Sequence, residues 1–141
     1  MIPSRTRGSQ EGARRYETVG AAAAAAAAQF ALGGYTVFLD SPMFPDGAEG
    51  VAQICGRRDV RVHYAVLRAG VDTCLERSWR RDLSDPPDVQ EFRSLHAKFV
   101  DLGHCEAHAV DASGPAQQVA SAVLSAFRDG RLAVKQKGSS K

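Results

Sequence analysis

Eight consecutive alanines at residues 21–28 constrain this chain more than any other feature. Alanine has the highest intrinsic helical propensity and offers no branched or aromatic surface to a sheet, so the run admits helix and little else. Extended outward, it predicts a helix over 13–32. Gly33-Gly34 ends it, because glycine reaches the left-handed conformation that closes a helix. The run is also the nearest approach to a membrane segment, yet eight alanines between Gly20 and Gln29 are too short and too weakly apolar to span a bilayer. Arg5, Arg7, Arg14 and Arg15 resemble the basic start of a signal peptide, but the leucine-rich stretch that should follow is alanine instead. A cytoplasmic location without a membrane partner is expected.

Downstream the signals alternate. Residues 35–39 (Tyr-Thr-Val-Phe-Leu), closed by Asp40-Ser41-Pro42, read as a buried strand, and so do residues 60–67. Prolines and glycines between 42 and 59 predict a loop with one helical turn near 51–54. Gly70 opens a helix over 71–82 with Val71, Cys74, Leu75 and Trp79 on one face, and Pro86-Pro87 starts another that runs to Gly103. Residues 107–110 read as a third strand. A last helix follows Ser113-Gly-Pro115, with Val119, Val123, Leu124 and Phe127 inward, and residues 131–134 read as an edge strand. Strands alternating with helices predict an α/β fold, a parallel sheet of three or four strands with flanking helices. The domain spans 13–134, between polar segments 1–12 and 135–141 that are expected to be disordered.

Composition narrows the function classes. With 141 residues, 44% hydrophobic and 24% charged, the chain can bury a real core. Its 18 basic and 16 acidic residues leave a net charge of +2, and the cluster Arg57, Arg58, Arg61 lacks interleaved aromatics, so no nucleic-acid partner is expected. Cys55, Cys74 and Cys105 are odd in number and widely spaced, as reduced thiols are.

The stretch 21–40, the strand Val62-His63-Tyr64-Ala65-Val66-Leu67-Arg68, the arginine-bearing helix at 72–81 and the run from Phe99 through Glu106-Ala-His108 to Val110-Asp-Ala-Ser113 together resemble P-loop small-molecule kinases. The wider group includes chloramphenicol phosphotransferase-like and gluconate-kinase-like proteins. The resemblance covers residues 13–134 and corresponds to the C-terminal two-thirds of such a kinase. It implies ATP and Mg as cofactors and a small hydroxylated acceptor. It also implies that Asp40 serves the metal, that Arg77, Arg80 and Arg81 form a lid over the transferring phosphoryl group, and that Asp111 and Ser113 lie beside the adenine. The departure is as specific as the match. No Gly-x-x-x-x-Gly-Lys-Ser/Thr occurs, and the first lysine is Lys98. The expectation is a kinase-like domain without its first strand and phosphate loop, inactive alone because the preorganised phosphate cradle is missing. In that fold the absent strand would separate residues 35–39 from 62–67.

Each candidate also has a plainer reading. Asp40 can be a turn residue whose carboxylate accepts a local N–H. Arg80 is spaced to pair with Glu76 on an exposed helix face, and arginines at a helix C-terminus favour the dipole. Residues 111–115 form an ordinary helix entry with Ser113 as the cap, and this reading is preferred. His104, Glu106 and His108 would share one face of an extended segment, but no CxxC, HExxH or fourth ligand accompanies them, so no metal site is assigned there. His63 and His96 read as core-edge histidines. The alternative function is a non-catalytic α/β interaction module that pairs with a partner chain or forms a homodimer.

Overall fold

A computed structural model describes residues 10–80 and 88–135, and the chain divides into two compact units, Met1–Val62 with Val134–Lys141, and His63–Ala133. The architecture is mixed α/β, mostly helical, with one small parallel sheet of two strands. Among the described residues, two of the expected three or four strands form.

In the first unit, helix α1 (Gln10–Leu32) starts three residues before the expected Ala13 and packs on α2 (Pro45–Gly56). Ala24 and Ala28, one turn apart on α1, are fully buried against Val51 and Cys55 of α2, with Met43, Ile54, Val60 and Val62 around them. Methyl-sized side chains let the backbones approach closely enough for the Cys55 thiol to reach the Ala24 carbonyl at 3.7 Å. Helix α2 corrects the loop expected over 42–59. Gly47 and Gly50 cost it about 1 kcal/mol each in propensity, but Ala48, Val51, Ala52 and Cys55 recur at helical spacing and are all buried. Tertiary burial overrides the glycines.

Helix α1 ends as the glycine pair predicts. Gly34 has φ +89°; its N–H donates to the Ala31 carbonyl and the Tyr35 N–H to the Phe30 carbonyl, closing a Schellman motif. The Tyr35 ring meets Phe30 edge-on at 6.0 Å, the apolar contact that accompanies this cap. Helix α2 closes on the same pattern with an aspartate. The Asp59 N–H donates to Gly56 and the Val60 N–H to Cys55, at an Asp59 φ of 57°. A side chain in that region is strained, so Asp59→Gly is expected to raise stability by about 0.5–1 kcal/mol. A higher thermal midpoint checks this.

Residues 35–39 depart most from expectation. They form neither helix nor strand, and all five are exposed, Phe38 to 90%. A strand exists only through a ladder partner, and among the described residues Thr36, Val37, Phe38 and Leu39 make no hydrogen bond.

In the second unit, β1 (Val66–Arg68) pairs in parallel with β2 (Ala109–Asp111), in the register Val66↔Ala109, Leu67↔Val110, Arg68↔Asp111. The expected strands at 60–67 and 131–134 reduce to an antiparallel bridge between His63 and Ala133, beside a Tyr64 N–H to Leu132 carbonyl bond of 2.8 Å. The parallel pair requires a crossover. It contains α3 (Val71–Trp79), α4 (Val89–Ala97) and a 3-10 helix (Gly103–His108) that replaces the start of the expected third strand. Asp88 caps α4, its carboxylate accepting from the Gln90 and Glu91 N–H groups, and Arg93 of α4 pairs with Asp72 of α3 at 3.0 Å. Helix α5 (Ala116–Arg128) follows β2 and supplies Ala126 to a core of Val110, Ala126 and Leu132, with Val123 at its margin. Leu124 and Phe127, expected inward, are 53% and 49% exposed.

Candidate functional site

Both strands of the sheet end, in register, at Arg68 and Asp111, and the loop leaving β2 is the best-defined polar constellation in the second unit. Open α/β sheets put ligand contacts at this end of their strands. The Ala112 N–H continues the ladder by donating to the Arg68 carbonyl at 2.8 Å. The Asp111 carboxylate then folds over its own turn and accepts the Ser113 N–H at 2.9 Å. That bond, helped by the Ser113 hydroxyl, holds the Asp111 carboxyl below the usual aspartate range. Ser113 is not the helix cap the sequence suggested. Pro115 occupies the N-cap of α5, where no side chain accepts a cap bond.

Arg77, in the last turn of α3, faces this loop. Its guanidinium donates to three successive carbonyls, Ala112 at 2.6 Å, Ser113 at 2.9 Å and Gly114 at 3.2 Å. Three of the donors a phosphate would need are therefore bound to backbone. Arg80, just beyond α3, pairs with Glu76 at 2.5 Å with both side chains mostly exposed, the surface pair its spacing suggested. Arg81 lies outside the described residues. Asp40 belongs to the first unit and is exposed, and because residues 35–39 form no strand it does not sit at a strand end.

Two further arginines brace the same sheet, and the sequence reading gave them no role. Arg68 donates to the Val100 carbonyl at 2.9 Å and forms an ion pair with Glu106, whose other oxygen accepts the Leu102 N–H at 3.2 Å. The pairing holds the Glu106 carboxyl below its ordinary value and raises that of Arg68. Arg131 donates to the carbonyls of Ala107 and Ala109 at 2.7 and 3.1 Å. Spacing could not reveal either, since their acceptors, backbone carbonyls and the Glu106 carboxylate, lie more than twenty residues away.

Three of the four histidines are engaged structurally. The His96 Nε2–H donates to the Ala69 carbonyl, the His108 Nδ1–H donates to the Tyr64 carbonyl, and the His63 ring lies 4.5 Å from that of Phe127. His104, Cys105, Glu106 and His108 lie on the 3-10 helix, so the alternation that would align them is lost. Among the described residues no group of three His, Cys, Asp or Glu side chains could hold a metal ion. The β2 loop does not fit ATP with Mg, since it turns its carbonyls toward Arg77, and among the described residues no N–H cradle of the P-loop kind follows β1 or β2.

Burial, and secondarily the charge of Cys105, push the Tyr64 phenol up to about 12. With a folded value above the ordinary 10.0, the neutral phenol stabilises the native state fully below pH 10, and this contribution is lost as pH rises to about 12. The Tyr64 phenolate absorbance, obtained by difference from Tyr64→Phe, is expected near pH 12 in the folded chain and near pH 10 in urea.

Among the described residues no helix is long and apolar enough to cross a membrane. Compared with family models, curated proteins and solved structures, the chain finds no match in any of the three.

Proposed function

We infer that this chain is a non-catalytic α/β interaction module that pairs with a partner chain through residues 35–39. One observation carries the reading: an uncharged, β-prone run with Phe38 90% and Tyr35 67% exposed, whose backbone groups from 36 to 39 make no hydrogen bond among the described residues. Such a run offers a partner both apolar surface and a row of backbone donors and acceptors. Two of the arginines that the kinase resemblance assigns to a lid are engaged in structure, Arg77 with the β2 loop and Arg80 with Glu76.

The second reading is a P-loop kinase-like domain, inactive alone. It is favoured by the parallel β1–β2 pair, with the Asp111–Ser113 turn at the strands' carboxyl ends. Trp79, 59% exposed and between Arg77 and Arg80 in sequence, separates the two readings. On a cooperatively folded sample, MgATP is expected to leave its fluorescence unchanged. A saturable, salt-sensitive change would favour the nucleotide reading instead.

A further inference from the structure

The run at 35–39 is held at both ends. At one end the Tyr35 N–H is fixed to the Phe30 carbonyl by the helix cap. At the other the Tyr16 hydroxyl donates to the Pro42 carbonyl at 3.0 Å and meets Ser41 Oγ at 3.4 Å. Phe30 and Tyr16 lie on one helix, about 21 Å apart at its rise of ~1.5 Å per residue, and helical side chains lean further toward the N-terminus. Residues 35–42 must cover that span with a reach of at most roughly 26–29 Å. The segment is therefore pulled out along α1, close to extended, with its ordering cost already met within the unit.

We propose that the partner is a second copy of this chain, whose residues 35–39 pair antiparallel with the same residues about a two-fold axis at Val37. The proposal rests on the interaction-module reading and names its occupant. Alternation along an extended run puts Tyr35, Val37 and Leu39 on one face and Thr36 and Phe38 on the other. A two-fold at Val37 sets Tyr35 opposite Leu39 and Thr36 opposite Phe38, aromatic against aliphatic or β-branched, the pairings that stabilise cross-strand neighbours. It also sets Asp40 opposite Gly34, which has no side chain, so each carboxylate stays in water. Parallel in-register pairing would stack Asp40 on Asp40, and like charges directly opposite are destabilising. An isologous contact of this kind closes as a dimer.

The surface on offer is large enough. Phe30, Leu32, Tyr35, Val37, Phe38 and Leu39 are exposed to 58%, 53%, 67%, 36%, 90% and 42%. With aromatic side chains burying roughly 150–250 Å² each, these residues present on the order of 600 Å² per copy. Two copies together offer at most about 1,200 Å², the lower bound of specific interfaces, and the ladder's backbone hydrogen bonds add to it.

Sedimentation of the full chain at micromolar concentration is expected to give a dimer. Phe38→Asp changes a side chain that packs on almost nothing, so it should keep the helical circular dichroism and the cooperative melt while weakening the dimer roughly 30-fold. Val37→Cys should oxidise to a covalent dimer, because opposed antiparallel residues lie within disulfide reach, at ~4.5–5.5 Å between Cα atoms. Thr36→Cys should not, since its opposite number is Phe38. A dimer untouched by Phe38→Asp, or a Val37→Cys chain that fails to cross-link, overturns the proposal. A monomer whose amides at 36–39 exchange freely overturns self-pairing alone and leaves the module to a different partner. A monomer with those amides protected means the chain covers the segment itself, and both readings fall.

Discussion

Leu132→Ala is expected to destabilise the His63–Ala133 unit by about 2–5 kcal/mol, the cost of removing buried methyl groups and leaving a cavity. Leu132 is 2% exposed and is the largest fully buried side chain among the described residues. It joins Val110 of β2 to Ala126 of α5, while its own carbonyl accepts the Tyr64 N–H. With few other large side chains in that cluster, little can collapse into the space. A urea melt followed by far-UV circular dichroism should show the midpoint falling by roughly 1–3 M, given slopes of about 1–3 kcal/mol per molar for small domains. Leu124→Ala is the control. Leu124 is 53% exposed, so its truncation should cost well under half as much. Equal losses at the two positions would mean that α5 is rotated and that Leu124 faces the core.

Arg77→Ala is the second large effect. Hydrogen bonds from a charged group contribute about 1.5–3 kcal/mol. Here one guanidinium ties α3 to three consecutive carbonyls of the β2 loop. Water can reach part of this loop, so the low end of that range is expected. Arg77→Lys should recover little, because an ammonium cannot span three acceptors with a planar fork. Arg80→Ala should stay within about 0.5 kcal/mol, as exposed ion pairs do. A phosphate-binding lid would give the reverse pattern: unchanged melting for all three variants and a loss confined to nucleotide affinity. Melting curves with and without MgATP therefore test the clamp directly.

The origin of each sequence signal explains what could be read early. Helix α1 was legible because octa-alanine and Gly33-Gly34 are local, acting through propensity and backbone freedom within a few residues. Helix α3 was legible from its apolar spacing; Leu75 of that face is 2% exposed, but Trp79, expected beside it, is 59% exposed. Ala48, Val51, Ala52 and Cys55 stand at helical spacing, but the prolines and glycines of the same stretch signal a loop, and burial decides between them. At the site, Arg77, Asp111 and Ser113 were singled out, and the structure unites them around one turn. What spacing could not supply was the acceptor set of Arg77, backbone carbonyls 35 to 37 residues away.

Residues 35–39 mark the boundary between the two kinds of information. Their residue types establish strong β-propensity and Gly33-Gly34 the turn before them, while the extended course comes from the tie between Tyr16 and Pro42. Whether they become a strand depends on a neighbour to complete the ladder, and no local pattern encodes one. The same holds for β1 and β2, shorter than their apolar runs because pairing extends only as far as the two backbones stay in register. Propensity, capping and charge are properties of a few adjacent residues, so the sequence determined α1, α3, α4 and α5, the glycine turn after α1 and the absence of a P-loop motif, whereas α2 needed burial to outweigh its glycines. Ladder partners, the burial of Leu132 over Leu124 and the commitment of Arg77 to carbonyls depend on segments distant in the chain. Only the tertiary structure, where those segments meet, could decide them.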